Sequence, residues 1–200
     1  MGIHRRQPRA SSRRGISAAL YLLFICAAFA LNARLGAFLL AVAIHEAGHL
    51  IAAYVLGANV SEFSLGLLGL RIKYSDFGLG CIRSCVICGA GSAVGLLFSV
   101  AVIVSPLSLY DTAMYFALLS ASLGVVNLLP IRTLDGGSML YIILENHLMP
   151  HRAKAVFDAV SMTVSAAFFV MCLYICFTRT TDISLLVISC YFIFASAFRS

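Results

Sequence analysis

Long apolar runs that do not alternate leave this chain few ways to fold. They extend over roughly Gly15–Leu31, Gly36–Leu56, Val86–Leu109, Met114–Leu129, Ala155–Phe177 and Ile183–Phe198. A helix needs ~20 apolar residues, within a range of about 17–25, to cross the hydrocarbon core of a bilayer. Four of the runs have that length, and Met114–Leu129 and Ile183–Phe198 are shorter. Only 11% of residues are charged, 62% are hydrophobic and the mean hydropathy is +1.00. A soluble domain carries about 25% charged residues, so most of this surface faces lipid. In lipid the backbone satisfies its hydrogen bonds only as helices or as a closed barrel, and continuous apolar runs favour helices. The expected fold class is an all-α integral membrane protein of about six transmembrane helices.

The net charge of +6 marks orientation rather than a nucleic-acid surface. Arg5, Arg6, Arg9, Arg13 and Arg14 precede the first run. With six spans and the N-terminus inside, Arg71, Lys73, Arg83, Arg132, Arg152, Lys154 and Arg199 join them, so twelve of the fourteen basic residues lie on the cytoplasmic side. Only Arg34 and Arg179 fall outside, as the positive-inside rule requires. The expected location is the cell membrane, multi-pass, with both termini cytoplasmic, the lipid bilayer as a partner and no nucleic acid. Residues 1–14 read as a basic, disordered cytoplasmic tail. Gly15–Leu31 follows that tail as a signal peptide would, but no small-residue cleavage site follows it, and it reads as a retained span.

One substantial polar stretch interrupts the membrane array, over Gly57–Gly80. Val60, Phe63, Leu65, Leu67, then Leu70, Ile72 and Tyr74, partly alternate around Gly66 and Gly69. A small cytoplasmic-side β-hairpin is expected there, between the second and third spans. Further hydrophilic breaks lie at Ile131–Gly137 and Glu145–Lys154. The seven cysteines are too scattered for a disulfide framework. Cys81, Cys85 and Cys88 have the C-x-x-x-C-x-x-C spacing of an iron–sulfur triad, but the segment runs into a span and leaves no room for the barrel such enzymes use. They read as packing or palmitoylation positions.

The second run has no acidic or basic residue other than His45, Glu46 and His49. A carboxylate and two imidazoles within an apolar span are expensive and mark a functional site. Their order is H-E-x-x-H. Positions i and i+4 share one helix face, so both imidazoles can bind one zinc ion, and Glu46, about 100° round the helix, can act as general base on a water. Gly48 leaves room for a neighbouring helix or a substrate. Catalytic zinc takes three protein ligands, and Asp135 is the candidate for the third. It lies in Asn127-Leu128-Leu129-Pro130-Ile131-Arg132-Thr133-Leu134-Asp135-Gly136-Gly137, where Pro130 breaks the fourth run.

Together these two motifs resemble those of the site-2 protease family, the intramembrane zinc metalloproteases, whose signatures are HExxH on one span and N-x-x-P-x-x-x-L-D-G-G on a later one. Both are present without a mismatch. The resemblance implies one zinc ion per chain held by His45, His49 and Asp135, Glu46 as the catalytic base, and Asn127 near the substrate or the developing oxyanion. It makes residues 15–200 one polytopic metalloprotease domain. It also implies a membrane-associated or single-pass protein substrate and regulatory membrane proteins among the partners. Six compact spans without a PDZ domain are most like the sporulation subgroup, which processes a sigma-factor precursor.

One departure concerns the third span, where many members carry G-P-x-x-N and this chain has Gly91-Ser92-Ala93-Val94-Gly95. The metal chemistry is untouched, while substrate accommodation or helix entry is altered. Glu145, His147 and His151 could form a second metal site, and read instead as a wet segment between spans. Two other functions use the same polar residues: a small multi-pass transporter with a mid-membrane relay, and a non-proteolytic membrane chaperone. Transport gives no reason for a Glu beside the first His of an i,i+4 pair, and a chaperone gives none for a complete catalytic set.

Overall fold

The computed structural model describes Cys26 and residues 32–58, 62–66, 69–73, 80–179 and 184–198. The basic tail and nearly all of the first apolar run lie outside these residues. Six helices are described: α1 (Ala33–Val55), α2 (Cys81–Val104), α3 (Asp111–Asn127), α4 (Asp135–His147), α5 (Pro150–Arg179) and α6 (Ser184–Phe198). Between α1 and α2, β1 (Glu62–Gly66) and β2 (Gly69–Lys73) pair antiparallel, with Glu62 opposite Lys73 and Gly66 opposite Gly69. Among the described residues the fold is all-helical apart from this pair of strands.

These helices are not the six runs read from hydropathy. The first run is outside the described residues, and α4 is an element to which no run corresponds. Its 13 residues include Asp135, Gly136, Gly137, Glu145 and His147, so it lacks the apolar length of a span. Among the described residues, three helices are long and apolar enough to cross a membrane: Ala33–Val55, Cys81–Val104 and Pro150–Thr178. At 17 and 15 residues, α3 and α6 are shorter than a ~20-residue crossing.

Helix boundaries follow local chemistry. Asn32 caps α1, its side-chain oxygen accepting from the backbone N–H of Arg34 at 2.9 Å and of Leu35 at 3.4 Å. Pro106, which has no N–H to donate, stands just past the end of α2 and opens a 3-10 turn over Pro106–Leu109. The peptide chain then reverses into α3. Pro150 occupies the first position of α5, where a missing N–H costs nothing.

Small residues set the packing. On α1 the buried face is Gly36, Ala37, Ala41, His45, Gly48, His49 and Ala53. It meets Ala90, Gly91 and Val94 of α2, while Ser92 and Gly95 of α2 face Gly124 and Ser120 of α3. A Cβ on Gly48 would come within 2.9 Å of both Ala90 O and Gly91 Cα, so the α1–α2 crossing tolerates no side chain there. Such contacts let helices associate in lipid, where no hydrophobic force joins them. Ala37, Ala41, Val102, Phe116 and Ala117 form the apolar cluster nearer the start of α1. Large side chains such as Leu97, Val104, Val170 and Phe177 point outward, as lipid-facing residues do. Helices α1, α2 and α3 pack on one another, α4 lies between α2 and α5, and α6 packs on α5.

Candidate metal centre

His45 and His49 stand on successive turns of α1 and are both buried, in a helix whose other residues are apolar or small apart from Arg34, Glu46 and Tyr54. Asp135 is the first residue of α4. Its carboxylate Oδ2 lies 3.1 Å from His45 Nε2 and 3.1 Å from His49 Nε2, and the two Nε2 atoms are 3.2 Å apart. Residues 90 and 86 positions apart in sequence therefore converge on one point.

The break before α4 explains how Asp135 gets there. Asn127 ends α3, and Leu128–Leu134 runs without regular structure across Pro130. Ile131 is fully buried, and its carbonyl accepts from Leu134 N at 2.9 Å. Gly136 and Gly137 then lie directly on the backbone of Leu128 and Ile131, so close that a Cβ on either would overlap those carbonyls. The L-D-G-G sequence is thus a close backbone approach that only glycine permits, and it sets the first turn of α4 against the break.

His49 is anchored on its far side. Its Nδ1 lies 2.8 Å from the carbonyl oxygen of Ile87, which can only accept, so Nδ1 carries the proton. Nε2 lies 3.1 Å from a carboxylate oxygen, and in a neutral ring it presents a lone pair there. Two acceptors that close repel unless a proton or a cation lies between them. Three donors on one tetrahedral zinc with bonds of ~2.0–2.2 Å stand about 3.3 Å apart, close to the observed spacings. The residues present fit a zinc ion in donor type, number and spacing, and among the described residues this is the one His/Cys/Asp/Glu group gathered so closely. The Ile87 contact has the form of the outer hydrogen bond that orients a metal-binding imidazole. His45 lacks one, since its buried Nδ1 has no partner among the described residues.

Crowding keeps this geometry in place. A Cβ on Gly91 would meet the His49 ring, coming within 2.6 Å of Cδ2. Of the departing Gly91–Gly95 segment, the glycine that matters most to the metal centre is therefore retained. Glu46 lies one residue round the helix, half-buried and outside the group of three. The Asp135 side chain keeps 27% of its surface exposed, so water can reach the otherwise buried site.

Asn127 is half-buried at the last turn of α3, and among the described residues its side chain makes no hydrogen bond. Cys81 and Cys85 face α4, their thiols 4.0 and 3.9 Å from the carbonyls of Ile142 and Met139, while Cys88 is buried. Glu145, His147 and His151 are not brought together as a second metal group. Sequence reading missed Ile87 and Gly91, neither of which belongs to the two motifs. A cavity of about 420 Å³ lined by Arg34, Asp111, Thr112, Met114, Tyr115 and Leu118 lies at the N-terminal ends of α1 and α3 and shares no residue with the metal centre.

No curated relative matches the chain. Residues 105–172 match Peptidase family M50, a segment that holds Asn127, Pro130 and Asp135 and does not include His45, Glu46 and His49, which lie N-terminal to it. The likeness of this chain to the site-2 protease family is thus shown by a family profile over that segment as well as by the motifs.

Proposed function

We propose that this chain is an intramembrane zinc metallopeptidase that hydrolyses a peptide bond, within or beside the membrane, in a membrane-associated or single-pass protein. The observation that carries this reading is the convergence of His45, His49 and Asp135, with Nδ1 of His49 held by the Ile87 carbonyl and Nε2 turned to the carboxylate. His45, His49 and Asp135 would hold one zinc ion. Bound there, zinc supplies Lewis acidity that polarises a carbonyl oxygen and makes water a nucleophile near neutral pH.

Glu46 takes the proton of the attacking water and delivers it to the leaving amine. The buried histidines and close-packed glycines keep bulk water to the side where Asp135 is exposed. Asn127 offers an amide donor to the substrate or to the oxygen that gains charge. Because a helical substrate has its carbonyls hydrogen-bonded, it unwinds locally before cleavage, and β1–β2 can hold the extended segment by strand addition. Six spans with both termini cytoplasmic agree with the distribution of basic residues, and a sigma-factor precursor is the substrate class that the compact architecture favours.

Glu46→Gln is the discriminating experiment. The variant keeps zinc at the wild-type level and loses hydrolysis of co-expressed single-pass substrates by about 10²–10⁴-fold, the usual worth of a general base. Undiminished cleavage by Glu46→Gln would remove Glu46 from the mechanism, and the absence of any zinc-dependent cleavage by the wild type would favour transport or chaperoning.

A further inference from the structure

The start of α4 is held from outside its own helix. Leu134, the N-cap residue, makes no side-chain hydrogen bond, so local capping does nothing to fix Asp135. Three residues earlier, Arg132 is tied to α5 in three ways. Its backbone N–H donates to Ser161 Oγ at 2.9 Å, its guanidinium pairs with the Asp158 carboxylate, and the same group lies 5.3 Å from the centre of the Phe157 ring. Ser161 is fully buried and lies 3.2 Å from Ser196 of α6, which is itself 3.0 Å from Ser165. From Arg132 to Asp135 the path is short and stiff, through the Leu134–Ile131 hydrogen bond and the contact of Gly137 with the Ile131 backbone.

Asp158 is the one acidic residue in α5, an otherwise membrane-length helix. An acid in such a segment is costly and calls for a specific partner, which Arg132 supplies. Stability does not explain the pair, since a partly buried ion pair is often replaceable by apolar side chains without loss. Position does. Metal-ligand distances are specified to within about 0.2 Å, and Arg132 ties the loop carrying Asp135 to α5 by a backbone hydrogen bond and an ion pair.

We infer that Arg132, Asp158 and Ser161 are positioning residues that set the Asp135 carboxylate against His45 and His49 from α5, without touching the metal or the substrate. The inference rests on the zinc-peptidase reading above. It makes the metal centre depend on contact between the break and α5, so that whatever draws α5 away loosens the third ligand.

The test uses the full, zinc-loaded chain in detergent and follows zinc release to excess chelator, alongside thermal unfolding of the metal-free protein. Asp158→Asn and Ser161→Ala should release zinc about tenfold faster, the usual effect of removing an outer-shell contact, and Asp158→Glu should restore the wild-type rate. Unfolding of the metal-free variants should be close to that of the wild type. Unchanged release from the Asp158→Asn/Ser161→Ala double variant overturns the inference, as does a loss that Asp158→Glu does not restore. A wild-type chain that holds no zinc overturns the peptidase reading itself, and the positioning role with it.

Discussion

The Nδ1 atom of His49 donates to the carbonyl of Ile87 at 2.8 Å, and this contact between α1 and α2 decides which nitrogen of the ring is left for a metal. The carbonyl comes from the second turn of a helix that also places Gly91 one turn later against the same imidazole. A single helix thus orients the ring from one side and makes space for it on the other.

Gly91→Ala is expected to break that arrangement. Its methyl group would overlap His49, which can move only by giving up Ile87 or the Asp135 contact. Zinc content should fall well below one ion per chain, and activity by ~10²-fold, the usual cost of a displacement near 1 Å at a catalytic group. Metal analysis of purified protein, with helicity measured in parallel, checks both.

Removing the ligands should remove the ion. His45→Ala/His49→Ala protein should purify without stoichiometric zinc, whereas wild type should carry about one ion per chain. Strong chelation should abolish wild-type hydrolysis, and added zinc should return it. Full occupancy in the double variant would move the metal elsewhere.

Gly136→Ala tests the break rather than the ligands. The new Cβ would overlap the Leu128 carbonyl, so the first turn of α4 must shift and take Asp135 with it. Both thermal stability and zinc retention should drop, with a stability loss at the upper end of single substitutions, roughly 3 kcal/mol or more. An alanine tolerated here with unchanged zinc affinity would show that the break is more yielding than its contacts imply.

Topology has its own measurement. Reporter fusions at Met1 and Ser200 should both report a cytoplasmic location, as an even number of spans and the basic-residue bias require. Opposite locations would demand an odd number of spans.

The grouping of the candidate metal centre was legible in sequence to the extent that its chemistry is local. His45 and His49 declare their shared face by spacing alone, and Asp135 by its place behind Pro130 and ahead of two glycines. Hydropathy gave the long helices because membrane length is a property of continuous runs. It could not give α4, whose mixed residues match no apolar run. Nor could it find Ile87, which acts through a backbone carbonyl that every residue possesses, or Asp158, whose partner lies 26 positions earlier in a different segment. Such contacts depend on which helices meet, and no periodicity records that.

The 90-residue separation of His45 from Asp135 has a consequence for biogenesis. A ribosome working at about 5–20 residues per second needs roughly 5–18 s to make the intervening chain. Throughout that interval α1 has emerged with two imidazoles and a carboxylate, while its counterpart on α4 has yet to be made. Insertion of α1 must therefore be driven by the apolar remainder of the helix, and Gly36, Ala37 and Ala41 contribute little to it. The large residues that do, such as Leu35, Phe38, Leu50 and Ile51, are the ones left facing outward in the finished fold.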